Sequence, residues 1–181
     1  MTKIETRKEV QVKLIASSEP LPGEPLKIGG YAAKFDNPYD MGDCYETLAA
    51  DCFDASKDSP SIVLLWNHDT SKPLGRVSAG NLRVFTDAVG LGFECSLLDT
   101  PSAREVHTLV ASGVYNQCSF GFICESEVMI RDKGQMKPTR KILRAKLMEL
   151  SLVCFPANPN TEVSVRELPK QKRRYYLPPE F

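Results

Sequence analysis

The chain has 181 residues, which is enough for one domain with a sizeable hydrophobic core and too few for two comfortable ones. Its 23 lysines and arginines balance 23 aspartates and glutamates, which argues against a surface that binds nucleic acid through bulk positive charge. The apolar runs have the length of strands and the first residues lack the apolar core of a signal peptide, so we expect a cytosolic protein without a membrane partner.

The six cysteines and two histidines do not have the spacing of a metal site. The cysteines are scattered without a Cys-x-x-Cys pair, and His68 and His107 lie 39 positions apart. A structural zinc site needs several such ligands at short, regular spacings. We therefore expect reduced, mostly buried thiols, no metal and no cofactor.

The first elements in chain order are strands. Residues 1–25 mix charges with a Pro/Gly cluster and predict a flexible N-terminal arm. Residues 28–35 and the continuous apolar run 61–67 are typical of strands. Two further runs, 82–86 and 91–97, flank a short turn segment, and together they predict a β-hairpin.

One helix has clear start and stop signals. Thr100 is a good N-cap, Pro101 suits the first helical position, and Gly113 suits the position just past the end. One apolar face at helical spacing is formed by Ala103, Val106, Leu109 and Val110, and His107 lies on its flank. A second, shorter helix is predicted near Asp51, with Phe53 turned inward.

Two more strands, 117–125 and about 141–153, complete the pattern, and residues 167–181 predict a flexible C-terminal tail. The domain itself is expected at residues 26–166. Many short strands around one good helix favour a mainly β fold with helices (α+β), as a compact β-barrel or sandwich with helices packed outside.

A serine hydrolase would need a hydroxyl beside a neutral imidazole that can take its proton. Its base would have to be His68 or His107, because the chain has no other histidine. His68 follows the apolar run 61–67, at the point where the predicted strand ends and a loop begins. A side chain there can be held by the strand and still be accessible from the loop. By residue type alone, either histidine is more often structural than catalytic.

Ser119 and Cys118 are rival nucleophiles in the segment Gln-Cys-Ser-Phe-Gly-Phe, residues 117–122. The thiol is the stronger nucleophile once ionised. Adjacent strand residues face opposite sides of a sheet, so both cannot address one histidine. The local sequence leaves the choice open.

Five segments resemble the prohead (capsid maturation) protease family of HK97-like tailed phages, from about residue 28 to residue 165. They are residues 30–35 (Gly-Tyr-Ala-Ala-Lys-Phe), 67–69 (Asn-His-Asp) with 74–76 (Leu-Gly-Arg), 99–101 (Asp-Thr-Pro), 119–122 (Ser-Phe-Gly-Phe) and 149–157 (Glu-Leu-Ser-Leu-Val-Cys-Phe-Pro-Ala). Each is weak singly, but five in the right order are a strong signal.

The resemblance implies a serine endopeptidase in which His68 is the base, Ser119 the nucleophile and Glu149 the acidic third residue. His107 is the rival for that third role, because the herpesvirus assembly proteases use a second histidine there. In those enzymes, however, the third residue follows the serine in chain order, and His107 precedes Ser119. The resemblance also implies their fold, a β-barrel surrounded by helices.

The expected substrates are the phage scaffold protein, or the scaffold segment of the major capsid protein, and the chain itself. This places the protein in the host cell cytoplasm, inside the procapsid, with a homo-oligomer allowed and no nucleic acid or membrane partner. The alternative is a non-catalytic β-barrel that acts as a scaffold or assembly partner of the procapsid.

Overall fold

The computed structural model describes residues 4–7, 15–16, 25–54, 57–131 and 133–154. One α-helix, α1 (Pro101–Ala111), and a single 3-10 turn, Val77–Ala79, accompany the strands of this part of the chain. The strands are β1 (Glu5–Arg7), β2 (Ile15–Ala16), β3 (Lys27–Lys34), β4 (Tyr39–Asp40), β5 (Tyr45–Leu48), β6 (Val63–Trp66), β7 (Asp69–Arg76), β8 (Leu82–Thr86), β9 (Gly90–Ser96), β10 (Gln117–Ile130) and β11 (Thr139–Val153).

The larger sheet is organised around β11. Along one edge β11 pairs antiparallel with β10 over nearly its whole length. Its other edge is shared by two parallel neighbours, with β5 beside residues 139–142 and β6 beside residues 149–152. Three outer strands complete the sheet of seven: β1 pairs with β10, β4 with β5 and β7 with β6.

The smaller sheet has the strand order β2-β3-β9-β8, with antiparallel pairs throughout. The predicted hairpin is confirmed as β8 and β9. Its turn is closed by the carboxylate of Asp87, which accepts hydrogen bonds from the backbone N–H groups of Val89 and Gly90. A short polar side chain that bonds the backbone ahead of it is a common turn device.

The hydrophobic core lies between the two sheets. It joins residues of the smaller sheet, such as Leu91 and Phe93, to residues of the larger one, such as Phe120 and Leu150. The ring of Phe53 meets those of Phe120 and Phe122 edge to face. Burial of each such side chain contributes about 1.5–3 kcal/mol, so this face of β10 and β11 is fixed by packing.

Helix α1 begins as predicted. The side chain of Thr100 accepts a hydrogen bond from the backbone N–H of Ala103, and Pro101 is the first helical residue. Gly113, with φ of 77°, lies just past the end. The buried face comprises Ala103, Val106, His107 and Val110.

The mainly β character with a helix is confirmed, but two details differ. Residues 50–54 form turns, so the predicted helix near Asp51 is wrong, although Phe53 is fully buried as expected. Among the described residues the strands form two sheets and neither closes on itself, so the barrel implied by the resemblance is not confirmed.

The division of the chain into an arm, a domain and a tail stays a prediction. Strands β1 and β2 lie within the first 25 residues and pair with β10 and β3. The predicted tail, residues 167–181, lies outside the described residues.

Candidate active site

His68 occupies a two-residue turn between β6 and β7. Trp66 pairs with Asp69, which leaves Asn67 and His68 as the loop. Their φ angles are 54° and 59°, so both central residues are left-handed, the pattern of a type I′ hairpin turn. Asn and His are among the non-glycine residues that adopt this conformation most often, but it is uncommon for both, and such backbone positions cluster at functional sites.

The surroundings hold this turn from two sides. The backbone N–H of Asn67 donates to the carbonyl of Leu152 at 2.9 Å, beyond the end of the β6–β11 ladder. The side-chain amide of Asn67 donates to the hydroxyl of Tyr115 at 2.8 Å. The Tyr115 ring also contacts Trp66 edge to face. The turn is therefore fixed both to β11 and to the segment that leads into β10.

Glu149 joins the turn to the central strand. Its Oε1 accepts a hydrogen bond from Nδ1 of His68 at 2.6 Å, and its Oε2 accepts one from the hydroxyl of Ser151 at 2.9 Å. A carboxylate without a proton only accepts, so Nδ1 of His68 carries the hydrogen and Nε2 is the basic nitrogen. Nε2 is buried and has no hydrogen-bond partner among the described residues.

Ser119 lies on the same face as this pair. It is opposite Ser151 in the β10–β11 ladder, and Gly121, two residues on, is opposite Glu149. Opposite residues of an antiparallel pair share a face, as do residues two apart on one strand. β6 lies on the other side of β11, with Leu65 beside Ser151. β10 and β11 thus direct the predicted serine and carboxylate to one side of the sheet, and the β6–β7 turn brings His68 to that carboxylate.

Gly121 makes room for the carboxylate. A Cβ at this position would lie 2.9 Å from Cγ of Glu149 and 3.2 Å from its Oε1, the oxygen that binds His68. The Glu149 side chain therefore passes directly over Gly121, beside Ser119. No hydrogen bond joins Ser119 to Nε2 of His68 in this structure. Such contacts commonly tighten when substrate binds.

Cys118 faces the opposite side, as the strand alternation predicts. It is fully buried in the core, and burial raises the pKa of its thiol to about 12. A thiol held neutral in apolar surroundings is a poor nucleophile. His107 lies on α1 among core residues, while the Nδ1 position of His68 is taken by Glu149.

No cluster of three or more metal-binding side chains occurs in the part of the chain that the structure describes. All six cysteines carry free thiols, and three of them, Cys52, Cys95 and Cys118, are buried. Among the described residues, no helix is long and apolar enough to cross a membrane.

Sequence reasoning assigned no role at the site to three residues that support it: Ser151, Gly121 and Asn67. Two of them carried a usable signal, because Ser151 follows Glu149, and Gly121 follows Ser119, at the two-residue period of one strand face. Asn67 carried a weaker signal, since an Asn directly before the histidine is typical of a left-handed turn.

A hydroxyl, an imidazole and a carboxylate on one side of a sheet are the groups that a serine hydrolase combines. The chain matches the family model described as caudovirus prohead serine protease over residues 13–174, and it belongs to that family. Neither the curated proteins nor the solved structures gave a match.

Proposed function

We propose that the chain is a serine endopeptidase in which Ser119 is the nucleophile, His68 the general base and Glu149 the residue that orients the base. The observation that supports this most is the 2.6 Å hydrogen bond between His68 Nδ1 and Glu149 Oε1, which leaves Nε2 buried and without a hydrogen-bond partner among the described residues. A histidine held in this way has one tautomer and one orientation, and its basic nitrogen is available to a neighbouring hydroxyl.

The chemistry follows from these positions. Oγ of Ser119 attacks the carbonyl carbon of the scissile peptide bond, and its proton passes to Nε2 of His68. The imidazolium formed is stabilised by the carboxylate of Glu149 through the Nδ1 hydrogen bond. When the C–N bond breaks, Nε2 returns the proton to the leaving amine. Water then attacks the acyl-enzyme, with His68 again taking and returning one proton.

The family match supports a role in capsid maturation. We propose as substrates the scaffold protein, or the scaffold segment of the major capsid protein, and the chain itself, cut inside the procapsid in the host cytoplasm. A homo-oligomer, a closed barrel and a likeness to the fold of the herpesvirus assembly proteases belong to the same proposal. No metal, cofactor, nucleic acid or membrane is required by it.

Purified wild-type protein, Ser119→Ala and Cys118→Ser test the proposal. We expect wild type and Cys118→Ser to cut coexpressed scaffold and to trim their own ends within residues 1–25 or 167–181, as seen by intact mass. Ser119→Ala should lose at least about 10⁴-fold in rate while it keeps its thermal unfolding midpoint. Identical, untrimmed masses and intact scaffold with all three proteins would instead favour the non-catalytic assembly partner.

A further inference from the structure

The outer edge of β10 is occupied by the chain's own β1, directly beside Ser119. β1 runs antiparallel to β10, with Glu5 opposite Phe122, Thr6 opposite Gly121 and Arg7 opposite Phe120. Ser119 is the next residue of β10 in that direction. A peptide bound in this register has three residues opposite Phe122, Gly121 and Phe120, and its next residue would lie opposite Ser119, the proposed nucleophile.

A strand edge is a natural binding site for an extended peptide. The edge presents unpaired backbone N–H and C=O groups, and an added strand satisfies them with main-chain hydrogen bonds. β1 runs antiparallel along residues 122 to 120 of β10, so an extended peptide that replaced it would continue past Ser119. β1 is the strand that pairs with this edge of β10 among the described residues.

A bidentate ion pair fixes the side chain of Glu5. The guanidinium of Arg140 donates from Nη1 to Oε2 of Glu5 at 2.7 Å and from Nη2 to Oε1 at 3.1 Å. Parallel donation of this kind is the geometry with which Arg recognises a carboxylate. The hydrogen bonds to Glu5 are the largest cause of the raised pKa of Arg140.

Arg140 also binds two other carboxylates. Its Nη1 donates to the fully buried Glu46 at 2.8 Å, and its Nη2 donates to Glu127. With those two carboxylates present, the positive charge is compensated even without Glu5. Glu5 is the one of the three carboxylates that lies on β1, so displacement of β1 by another strand would free this side of the guanidinium for another carboxylate.

We infer that the Phe120–Phe122 edge of β10 is the substrate-binding edge. This edge selects an extended peptide with an acidic side chain three positions before the residue opposite Ser119. In the free protein, β1 of the same chain occupies the edge. This rests on the proposed function. Substrate must displace β1, so the apparent affinity for an external peptide is reduced by the fraction of molecules in which the edge is covered.

The first test is binding, and it needs no catalysis. The probe is a fluorescent peptide of residues 1–12. Two proteins are compared, Ser119→Ala and the double variant Ser119→Ala/Glu5→Lys. The lysine places a cation beside Arg140 and so weakens the pairing of β1. We expect the peptide to bind the Glu5→Lys protein at least about tenfold more tightly, because its own β1 no longer competes. Ile4→Lys is the control, since it adds a lysine one position away at an exposed residue.

The peptide itself supplies the second control. A peptide that carries Glu5→Lys should bind at least about tenfold more weakly, because it lacks the carboxylate that Arg140 recognises. Equal affinity of the native peptide for both proteins, or equal affinity of both peptides for one protein, would overturn the inference.

The second test is kinetic, with the same peptide carried as a quenched fluorescent substrate of proteins that retain Ser119 and whose intact mass shows that residues 1–12 have not been trimmed. Glu5→Lys should lower KM about fivefold or more and leave kcat unchanged, whereas Ile4→Lys should change neither. Unchanged KM in Glu5→Lys would refute the competition by β1. Binding as expected with no cleavage by any protein would support the binding edge and refute the proposed endopeptidase.

Discussion

Gly121→Ala is expected to damage catalysis without damaging the fold. The added Cβ would lie 2.9 Å from Cγ of Glu149, whereas ordinary contacts begin near 3.4 Å, so the carboxylate would have to retreat by about 0.5 Å. This movement would lengthen the hydrogen bond between Oε1 of Glu149 and Nδ1 of His68, which is now 2.6 Å long. The base would lose much of its orientation.

The size of the effect follows from the bond that is weakened. A hydrogen bond to a charged group contributes about 1.5–3 kcal/mol, and each 1.4 kcal/mol is a factor of about ten in rate. We therefore expect kcat/KM of Gly121→Ala to fall about 10- to 100-fold. Stability should change by less than about 1 kcal/mol, because the clash is with a flexible side chain and alanine restricts the unfolded chain.

The measurement is kcat/KM on a scaffold-derived peptide together with the thermal unfolding midpoint. The control is the same substitution in a Glu149→Ala background, where the space above residue 121 is empty. There Gly121→Ala should have no further effect, since two residues that act through one contact are not additive. Wild-type kcat/KM in Gly121→Ala, or an equal loss in both backgrounds, would show that this glycine does not act through Glu149.

Three further predictions concern the groups around the site. Glu149→Gln should lower kcat by about 10²–10⁴-fold, and His107→Gln should leave it within about threefold; the reverse result would make the third residue a histidine. Asn67→Ala should destabilise the protein by about 1–2 kcal/mol in thermal denaturation, because it loses the bond to Tyr115 and the left-handed preference of Asn; an unchanged midpoint would contradict this. Thr100→Ala should cost about 1 kcal/mol through the lost helix cap while kcat/KM stays at the wild-type value, and a changed kcat/KM would connect the helix start to the site.

The elements predicted well were those specified by neighbours in the sequence. Helix α1 has its cap, its proline and its closing glycine within fourteen residues, and the β8–β9 hairpin has its turn between two apolar runs. The helix predicted near Asp51 failed because a tertiary contact competes with it. The carbonyl of Cys52 accepts a hydrogen bond from the N–H of Ala145 on β11, which ties these turns to the sheet.

The candidate site was predicted in part. The position of His68 at a strand end, and the opposite faces of Ser119 and Cys118, follow from strand periodicity. The meeting of His68 with Glu149 depends on the parallel pairing of β6 with β11, which joins residues 81 positions apart and has no local signal. The assignment of Glu149 came from family resemblance rather than from the pattern of its own strand.

The strand pattern around Glu149 is broken in a way that the chemistry requires. On β10 the core residues Cys118, Phe120 and Phe122 keep the two-residue period, but on β11 the buried Leu147 and Leu150 are three apart. The ladder passes from Gly121 opposite Glu149 to Phe122 opposite Leu147, so Met148 is an extra residue, a β-bulge.

With strict alternation, Glu149 would share the core face with Leu147, and its charge would be buried there at high cost. Because the bulge reverses the alternation, Leu147 and Leu150 both pack in the core while Glu149 and Ser151 lie on the face of Ser119. The bulge thus turns the Glu149 side chain to the face of Ser119. It allows β10 and β11 to carry a continuous hydrophobic core on one face and a charged side chain on the other.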